Sequence, residues 1–309
     1  MPDPAQVKRT REIESVSNLY FIHPISRRFV TMFARLGMKP NTVSALGIIF
    51  GVTAAAAYFQ YQDWRMCVVG FLSMIMWHVM DGADGQLARL TGQTSELGRV
   101  MDGLCDHVTV ALVYLSLAVA GSLEDGLWIA GAAVAAGISH VGQSSAYEFQ
   151  RQMYDYWVHG KESARFVSLD EQRSIVEREE GIASVFARFY LLYLWIQSRM
   201  TAFDEVLDRQ LHRLVASGDP DRSRARDLYR SVNVPMMRRW SLMSNNPRTV
   251  AIFLACLVGS PVLYFLLELT VMNVLLAVLV STQRRRHASL RLRLEEIAQS
   301  SEVTPVDTA

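Results

Sequence analysis

The feature that most limits what this chain can fold into is the spacing of its apolar runs. "PNTVSALGIIFGVTAAAAYF" (40–59) and "MCVVGFLSMIMWHVM" (66–80) are followed by further apolar stretches at about 99–120, 126–149 and 248–282. About 20 apolar residues make a helix long enough to cross the roughly 30 Å hydrocarbon core of a bilayer. Inside that core the backbone must satisfy its own hydrogen bonds, so repeated runs of this kind imply a bundle of spanning helices. The expectation is an all-α, polytopic membrane helix bundle. The run 248–282 is too long for one crossing and divides near Glu268, which makes six transmembrane helices in all. The fourth run is rich in Gly and Ala, which permits close helix contact and a homodimer.

Dense charge separates the runs and sets an orientation. With six spans, one side receives the N-terminus, residues 84–99, residues 150–247 and the C-terminal "RRRH". The other receives "YQDWR", "SLED" and "LELT", where Arg65 is the one basic residue. By the positive-inside rule the first side is cytoplasmic. Four regions follow: 1–39, 40–149, a charged cytoplasmic insertion 150–247, and 248–309 with the last two spans and a cytoplasmic tail. Residues 17–37 form an amphipathic segment in which Leu19, Ile22, Phe29, Phe33 and Leu36 share one side near Arg27, Arg28 and Arg35. That pattern predicts an interfacial helix on an anionic leaflet. Pro40 suits the start of the first span, with Asn41 as its cap. Inside the insertion, 185–197 is apolar but short and contains Arg188, which reads as an interfacial or re-entrant helix. The N-terminus has no apolar core of a signal peptide, so no cleaved leader is expected. The net charge of +1 gives no reason to expect a nucleic-acid partner. Cys67, Cys105 and Cys256 lie in apolar runs without metal spacing, as buried free thiols do.

The chemistry concentrates in "DGADGQLARLTGQTSELGRVMDGLCD" (81–106). Carboxylates beside a membrane are costly and mark function. Asp81 and Asp84 stand i, i+3 at the end of the second span; Asp102 and Asp106 stand i, i+4 at the start of the third. Gly92 is suited to end the first of these helices and turn the chain back. Two adjacent helices would then gather four carboxylates, whose mutual repulsion divalent cations relieve. An all-oxygen donor set favours Mg²⁺ or Mn²⁺, and a pair of such ions clamps a phosphate ester. Gly85 and Gly98 leave room for a diphosphate beside the backbone, and Arg89 can grip phosphate.

The pattern Asp81-x-x-Asp84-Gly85-x-x-Ala88-Arg89-x8-Gly98-x-x-x-Asp102-x-x-x-Asp106 resembles the signature of the CDP-alcohol phosphotransferase family, also called CDP-alcohol phosphatidyltransferases. All eight fixed positions match. The six-span layout and the "PNTVS" opening of the first span belong to the resemblance too; 150–247 departs from it, being longer than in compact relatives. The resemblance implies a reaction in which an acceptor hydroxyl attacks the β-phosphorus of a CDP-alcohol and CMP leaves. It implies two ions, Mg²⁺ or Mn²⁺, bridged by Asp81 and Asp102, with Asp84 completing one site and Asp106 the other. Asp106 is the implied general base. Asn41, Ser44, Gly85, Arg89, Ser95 and Gly98 are the implied contacts to the CDP moiety. The implied partners are a CDP-alcohol donor, a hydroxyl acceptor (a small polyol or a lipid) and membrane lipids. Phospholipid synthesis in a bacterial inner membrane, from CDP-diacylglycerol, is the form this reading leans to. A soluble CDP-alcohol donating to a lipid hydroxyl is its alternative.

Other polar residues carry weaker signals. His140, Gln143, Ser144, Tyr147 and Arg151 make one polar face on the fourth span. They either line an acceptor pocket or hydrogen-bond between helices. His78 and His107 read as structural, Cys105 as packing, and Arg222, Arg224, Arg226 and Arg230 as a solvated or lipid-facing surface. A transporter with an acidic ion site is the rival of another class. It predicts charges near mid-membrane and internal repeats, whereas these acids sit at one face.

Overall fold

The computed structural model describes residues 12–93, 96–161, 164, 169–216 and 218–302. At 96–104, 300–302 and nine positions within 182–199 the backbone alone is described. All regular structure among these residues is helical. A π-helical turn, Asn18–Ile22, leads into α1 (His23–Arg35). Then come α2 (Pro40–Tyr58), α3 (Trp64–Thr91), α4 (Glu96–Asp125) and α5 (Trp128–His159). Helices α6 (Leu169–Arg178), α7 (Gly181–Met200), α8 (Glu205–Ala216) and α9 (Asp221–Trp240) occupy the charged region. The last are α10 (Asn245–Leu257), α11 (Val262–Leu267) and α12 (Asn273–Glu302).

Among the described residues four helical stretches are long and apolar enough to cross a membrane: Pro40–Tyr58, Trp64–Thr91, Cys105–Asp125 and Val262–Gln299. Two of the six expected spans fall outside that set. Helix α5 is long, 32 residues, but Ser, Gln, Glu and Arg dilute its apolar sequence. Helix α10 has 13 residues, a length of about 20 Å.

Three boundaries differ from the expectations. Lys39, in extended conformation, is the N-cap of α2, with Pro40 in the first turn; Asn41 is exposed inside that turn and does not cap it. The last apolar run does not divide near Glu268. The break falls at Val258–Pro261, where Gly259 takes φ +78° and Pro261 opens the next helix. Glu268 instead lies in a π-helical turn, Glu268–Met272, that joins α11 to α12 without interruption. It stays there because its carboxylate has a buried partner, described below. The interfacial segment also turns differently. Ile22, Val30 and Phe33 are buried against α3, while Leu36, expected beside them, is 67% exposed together with Tyr20, Phe21 and Met32. The π-helical turn shifts the register of the segment, so it carries two apolar faces and not one.

The chain divides into two compact units. One takes the residues up to Val141 and Ser244–Asn273; the other takes Gly142–Met243 and the residues from Val274 on. The second contains α6–α9. In it, α6 is tied to α7 by the Gln172 amide donating to the Ala187 carbonyl at 3.1 Å. Asp204 caps α8 by accepting from the Val206 and Leu207 amides, each at 3.1 Å. A buried ladder links α9 to α12: Gln283 donates to Asn233 Oδ1 at 2.6 Å and accepts from Trp240 Nε1 at 3.3 Å. The apolar stretch 185–197 is part of a longer, 20-residue helix.

The first unit carries the aspartate motif. Its core is an aromatic and small-residue cluster that includes Tyr58, Trp77, Tyr114, Leu117, Ile252 and Phe265. Small residues bring the helices close. At Gly51 of α2 a Cβ would stand 2.6 Å from Thr109 Cγ2 and Oγ1 of α4. At Gly82 of α3 a Cβ would stand 2.8 Å from Ser26 Oγ of α1. Ser26 uses this approach to donate to the carbonyls of Val79 (2.8 Å) and Ile22 (2.9 Å), which fastens α1 to the end of α3.

Candidate active site

Helix α3 runs without a break through Asp81, Asp84, Gly85 and Arg89 and stops at Gly92. That glycine takes φ +68°, and the Gln93 amide closes on the Ala88 carbonyl at 2.9 Å. This is the αL helix end expected of a glycine here. Asp63 starts the same helix by accepting from the Arg65 amide at 2.9 Å. The two ends hold α3 as one rigid rod, and its final turns present the carboxylates.

Those carboxylates are placed by neighbouring helices. Asp84 is 5% exposed, and the Ser44 hydroxyl of α2 donates to its Oδ2 at 2.5 Å. A buried carboxylate needs such partners. Asp81, one turn earlier, is half-buried, as is Asp106 on α4. Helix α2 acts as a ruler between them. Ser44 meets α3 at Asp84, and Gly51, two turns further along α2, receives Thr109, one turn beyond Asp106. The heights of Asp84 and Asp106 are thereby set against one helix. A Cβ on Gly85 would meet Arg89 Nη1 at 3.4 Å and no other residue closer than Arg89 Nη2 at 3.9 Å. The Arg89 guanidinium thus lies over a bare stretch of backbone, where a phosphate oxygen can be met by both.

The remaining predicted residues fall as follows. Asn41 is exposed one turn before Ser44. Ser95 lies outside the described residues, and at Gly98 and Asp102 the backbone alone is described. With the Asp102 carboxylate outside the described set, no three described His, Cys, Asp or Glu side chains converge on one point. The side chains that are described suit hard divalent cations in their chemistry. They are carboxylates on α3 and α4, two helices that both pack on α2, without thiol or imidazole among them. Cys105 is buried and His107 exposed, on either side of Asp106. His78 is structural, its Nε2 2.8 Å from Thr249 Oγ1.

Sequence reasoning missed a buried charged cluster beside this site. Arg248 of α10 is 3% exposed and Glu268 is fully buried. Arg248 Nε donates to both Glu268 oxygens, at 3.1 and 3.3 Å, and Nη1 donates to the Ser244 carbonyl at 3.1 Å. His140 Nδ1 lies 3.6 Å from Glu268 Oε1, and the hydroxyls of Tyr114 and Tyr264 are 2.7 Å apart. A glutamate inside an apolar run signals a buried cation elsewhere; that signal pointed to Arg248, and reading Glu268 as a loop concealed it. His140 thus approaches Glu268 in the first unit and also lines a small cavity there.

Comparison with known proteins agrees with the motif. The family model described as CDP-alcohol phosphatidyltransferase matches residues 38–161. Choline/ethanolaminephosphotransferase 2 of Arabidopsis thaliana is 31% identical over 121 residues, covering 36% of this chain and 31% of that protein. Archaetidylinositol phosphate synthase of Pyrococcus horikoshii is 30% identical over 98 residues, covering 32% of this chain and 50% of that protein. The chain thus spans between about a third and a half of the length of these curated relatives. The matched segment holds α2, α3, α4 and α5, and so includes the two helices that carry the aspartates. The similarity to CDP-alcohol phosphatidyltransferases is thus carried by residues 38–161.

Proposed function

We propose that the protein is a CDP-alcohol phosphotransferase of phospholipid synthesis, moving a phosphatidyl or phospho-alcohol group to an acceptor hydroxyl with release of CMP. The observation that carries this reading is the aspartate pattern on α3 and α4, with Asp84 held by Ser44 and Arg89 laid over Gly85. Asp81, Asp84, Asp102 and Asp106 would hold two Mg²⁺ or Mn²⁺ ions. When bound, such ions neutralise diphosphate charge and stabilise the leaving phosphate. Ser44 fixes one oxygen of Asp84. Arg89 meets the diphosphate, and the bare Gly85 backbone lets it come near. Asn41, Ser95 and Gly98 complete the nucleotide's surroundings. Asp106 takes the proton from the acceptor hydroxyl as its oxygen bonds to the β-phosphorus; the bond to the CMP oxygen breaks and CMP departs with that electron pair.

By name, the relatives are a transferase of phosphocholine or phosphoethanolamine and a synthase of archaetidylinositol phosphate. A CDP-diacylglycerol donor, the form favoured by the sequence, and a soluble CDP-alcohol donor both fit this chemistry. The reading is tested by titrating CDP onto the purified protein. Saturable binding is expected in Mg²⁺ and its loss in chelator; equal binding in both would remove the metal from the account.

The active site is assigned to the cytoplasmic face of a membrane, on the strength of Arg65 standing alone on the opposite side. A Gly92→Cys variant in intact cells should resist a membrane-impermeant thiol reagent. Labelling from outside would reverse the topology.

A further inference from the structure

Helix α12 changes character along its length. From Val274 to Val280 its sequence is apolar, and Val274 and Val278 are exposed. Ser281 and Thr282 follow, their hydroxyls turned back onto the carbonyls of Ala277 (2.6 Å) and Val278 (2.7 Å). Then come Arg284, Arg285 and Arg286. Arg285 is seven residues beyond Val278, about 10 Å along the helix. An exposed apolar stretch that ends in arginines is the profile of a helix passing from hydrocarbon to the level of lipid headgroups.

Two more arginines stand at that level within the second unit. The bond from Trp240 Nε1 to Gln283 sets the end of α9 beside the start of the arginine run. Arg286 Nη1 donates to the Val232 carbonyl of α9 at 3.3 Å, so the two helices run antiparallel. Arg238 and Arg239, immediately before Trp240, are exposed, and so is Leu242 after it. Arg238, Arg239, Arg284 and Arg285 are thus exposed near one level of two packed helices.

These helix segments carry no acidic residue to offset them. Between Asp227 and Glu295 the chain has nine arginines and one acidic residue, Glu268, which is fully buried and bonded to Arg248. Among the described residues no carboxylate pairs with Arg238, Arg239 or Arg285. Arginines elsewhere on α9 and α12 are engaged. Arg291 lies 3.5 Å from Asp204, Arg224 lies 3.8 Å from Asp221, and Arg222 Nε donates to the Val215 carbonyl at 3.0 Å. The uncompensated charge therefore lies where exposed apolar side chains adjoin it.

We propose that this patch on α9 and α12 binds the headgroup of an anionic phospholipid. The guanidinium groups take the phosphate oxygens in their forks, and Val274, Val278 and Leu242 lie against the acyl chains. A nucleic acid would meet the same arginines but has no use for the apolar side chains beside them. The inference stands apart from the phosphotransferase reading and does not depend on it.

The test places the purified full-length protein in detergent micelles doped with equal amounts of phosphatidylglycerol and phosphatidylcholine of matched acyl chains. The lipids it retains are counted by native mass spectrometry. Phosphatidylglycerol should be retained in preference. That preference should fall by about fivefold for each arginine removed, the scale on which one basic residue attracts an anionic leaflet, in Arg284→Gln/Arg285→Gln and in Arg238→Gln/Arg239→Gln. The two pairs stand on different helices, so one reports if the other does not fold. Arg209→Gln/Arg213→Gln removes the same charge from exposed positions on α8 and should leave the preference unchanged. An equal loss from that variant would reduce the effect to overall charge and overturn the site. Equal retention of the two lipids by the unaltered protein would overturn it as well. Excess inorganic phosphate should not displace the lipid, because it brings no acyl chain; displacement would make this a site for free phosphate. A single-stranded oligonucleotide that removes the lipid at equal concentration would reassign the surface to nucleic acid.

Discussion

Asp106→Asn is expected to lower turnover by about 10²- to 10⁴-fold, the usual size of general-base assistance, with CDP-alcohol binding largely kept. The amide preserves the shape of the side chain and still offers a carbonyl oxygen, but it cannot take a proton. The half-buried position of Asp106, one turn before the close contact of Thr109 with Gly51, gives the substituted side chain the same surroundings as the original. Asp81→Asn should differ. Asp81 is the proposed bridging ligand, so its loss should weaken metal and nucleotide binding together. Titrating a CDP-alcohol onto both variants at fixed Mg²⁺, beside their turnover, separates the roles. If Asp106→Asn binds as poorly as Asp81→Asn, Asp106 is chiefly a ligand. Near-normal turnover would move the base to another residue, with His107 or His140 first to be examined.

The second large effect concerns stability. Arg248→Met removes the partner of a glutamate with no solvent exposure. Breaking a buried ion pair from one side costs about 3–5 kcal/mol, because the other charge is left uncompensated. The double variant Arg248→Met/Glu268→Leu replaces both charges with apolar groups of similar volume and should regain most of that loss. Denaturant or thermal unfolding of the three proteins in one detergent measures it. If the single variant is as stable as the double, the two charges are not paired in the folded protein.

Much of this site could be read from residue spacing. The i, i+3 and i, i+4 spacing of the aspartates and the helix-ending Gly92 depend on local geometry, which short-range sequence patterns encode. What could not be read depends on partners distant in sequence. Glu268 looks like a loop residue until α10 and α11 fold back at Gly259 and bring Arg248, 20 residues earlier, against it. Leu36 fits the amphipathic stripe of the N-terminal segment until a π-helical turn at Asn18–Ile22 shifts the register. Asn41 has the chemistry of a cap, but the extended backbone at Lys39 begins the helix earlier and places Asn41 inside it. The Ser44–Asp84 hydrogen bond joins residues 40 apart on different helices. The sequence resemblance could name both residues, but it could not pair them.

The central claim is that α3 and α4 hold a CDP-alcohol through divalent cations and pass its phospho-group to an alcohol. It is tested most directly by following CMP release from purified protein supplied with a CDP-alcohol and a hydroxyl acceptor, first in chelator and then after adding Mg²⁺ or Mn²⁺. The account predicts no CMP in chelator. On addition of the metal it predicts release of CMP mole for mole with a new phosphodiester, abolished in Asp81→Asn. Release that persists in thorough chelation, or no release with any donor and acceptor from protein that remains folded, would contradict it.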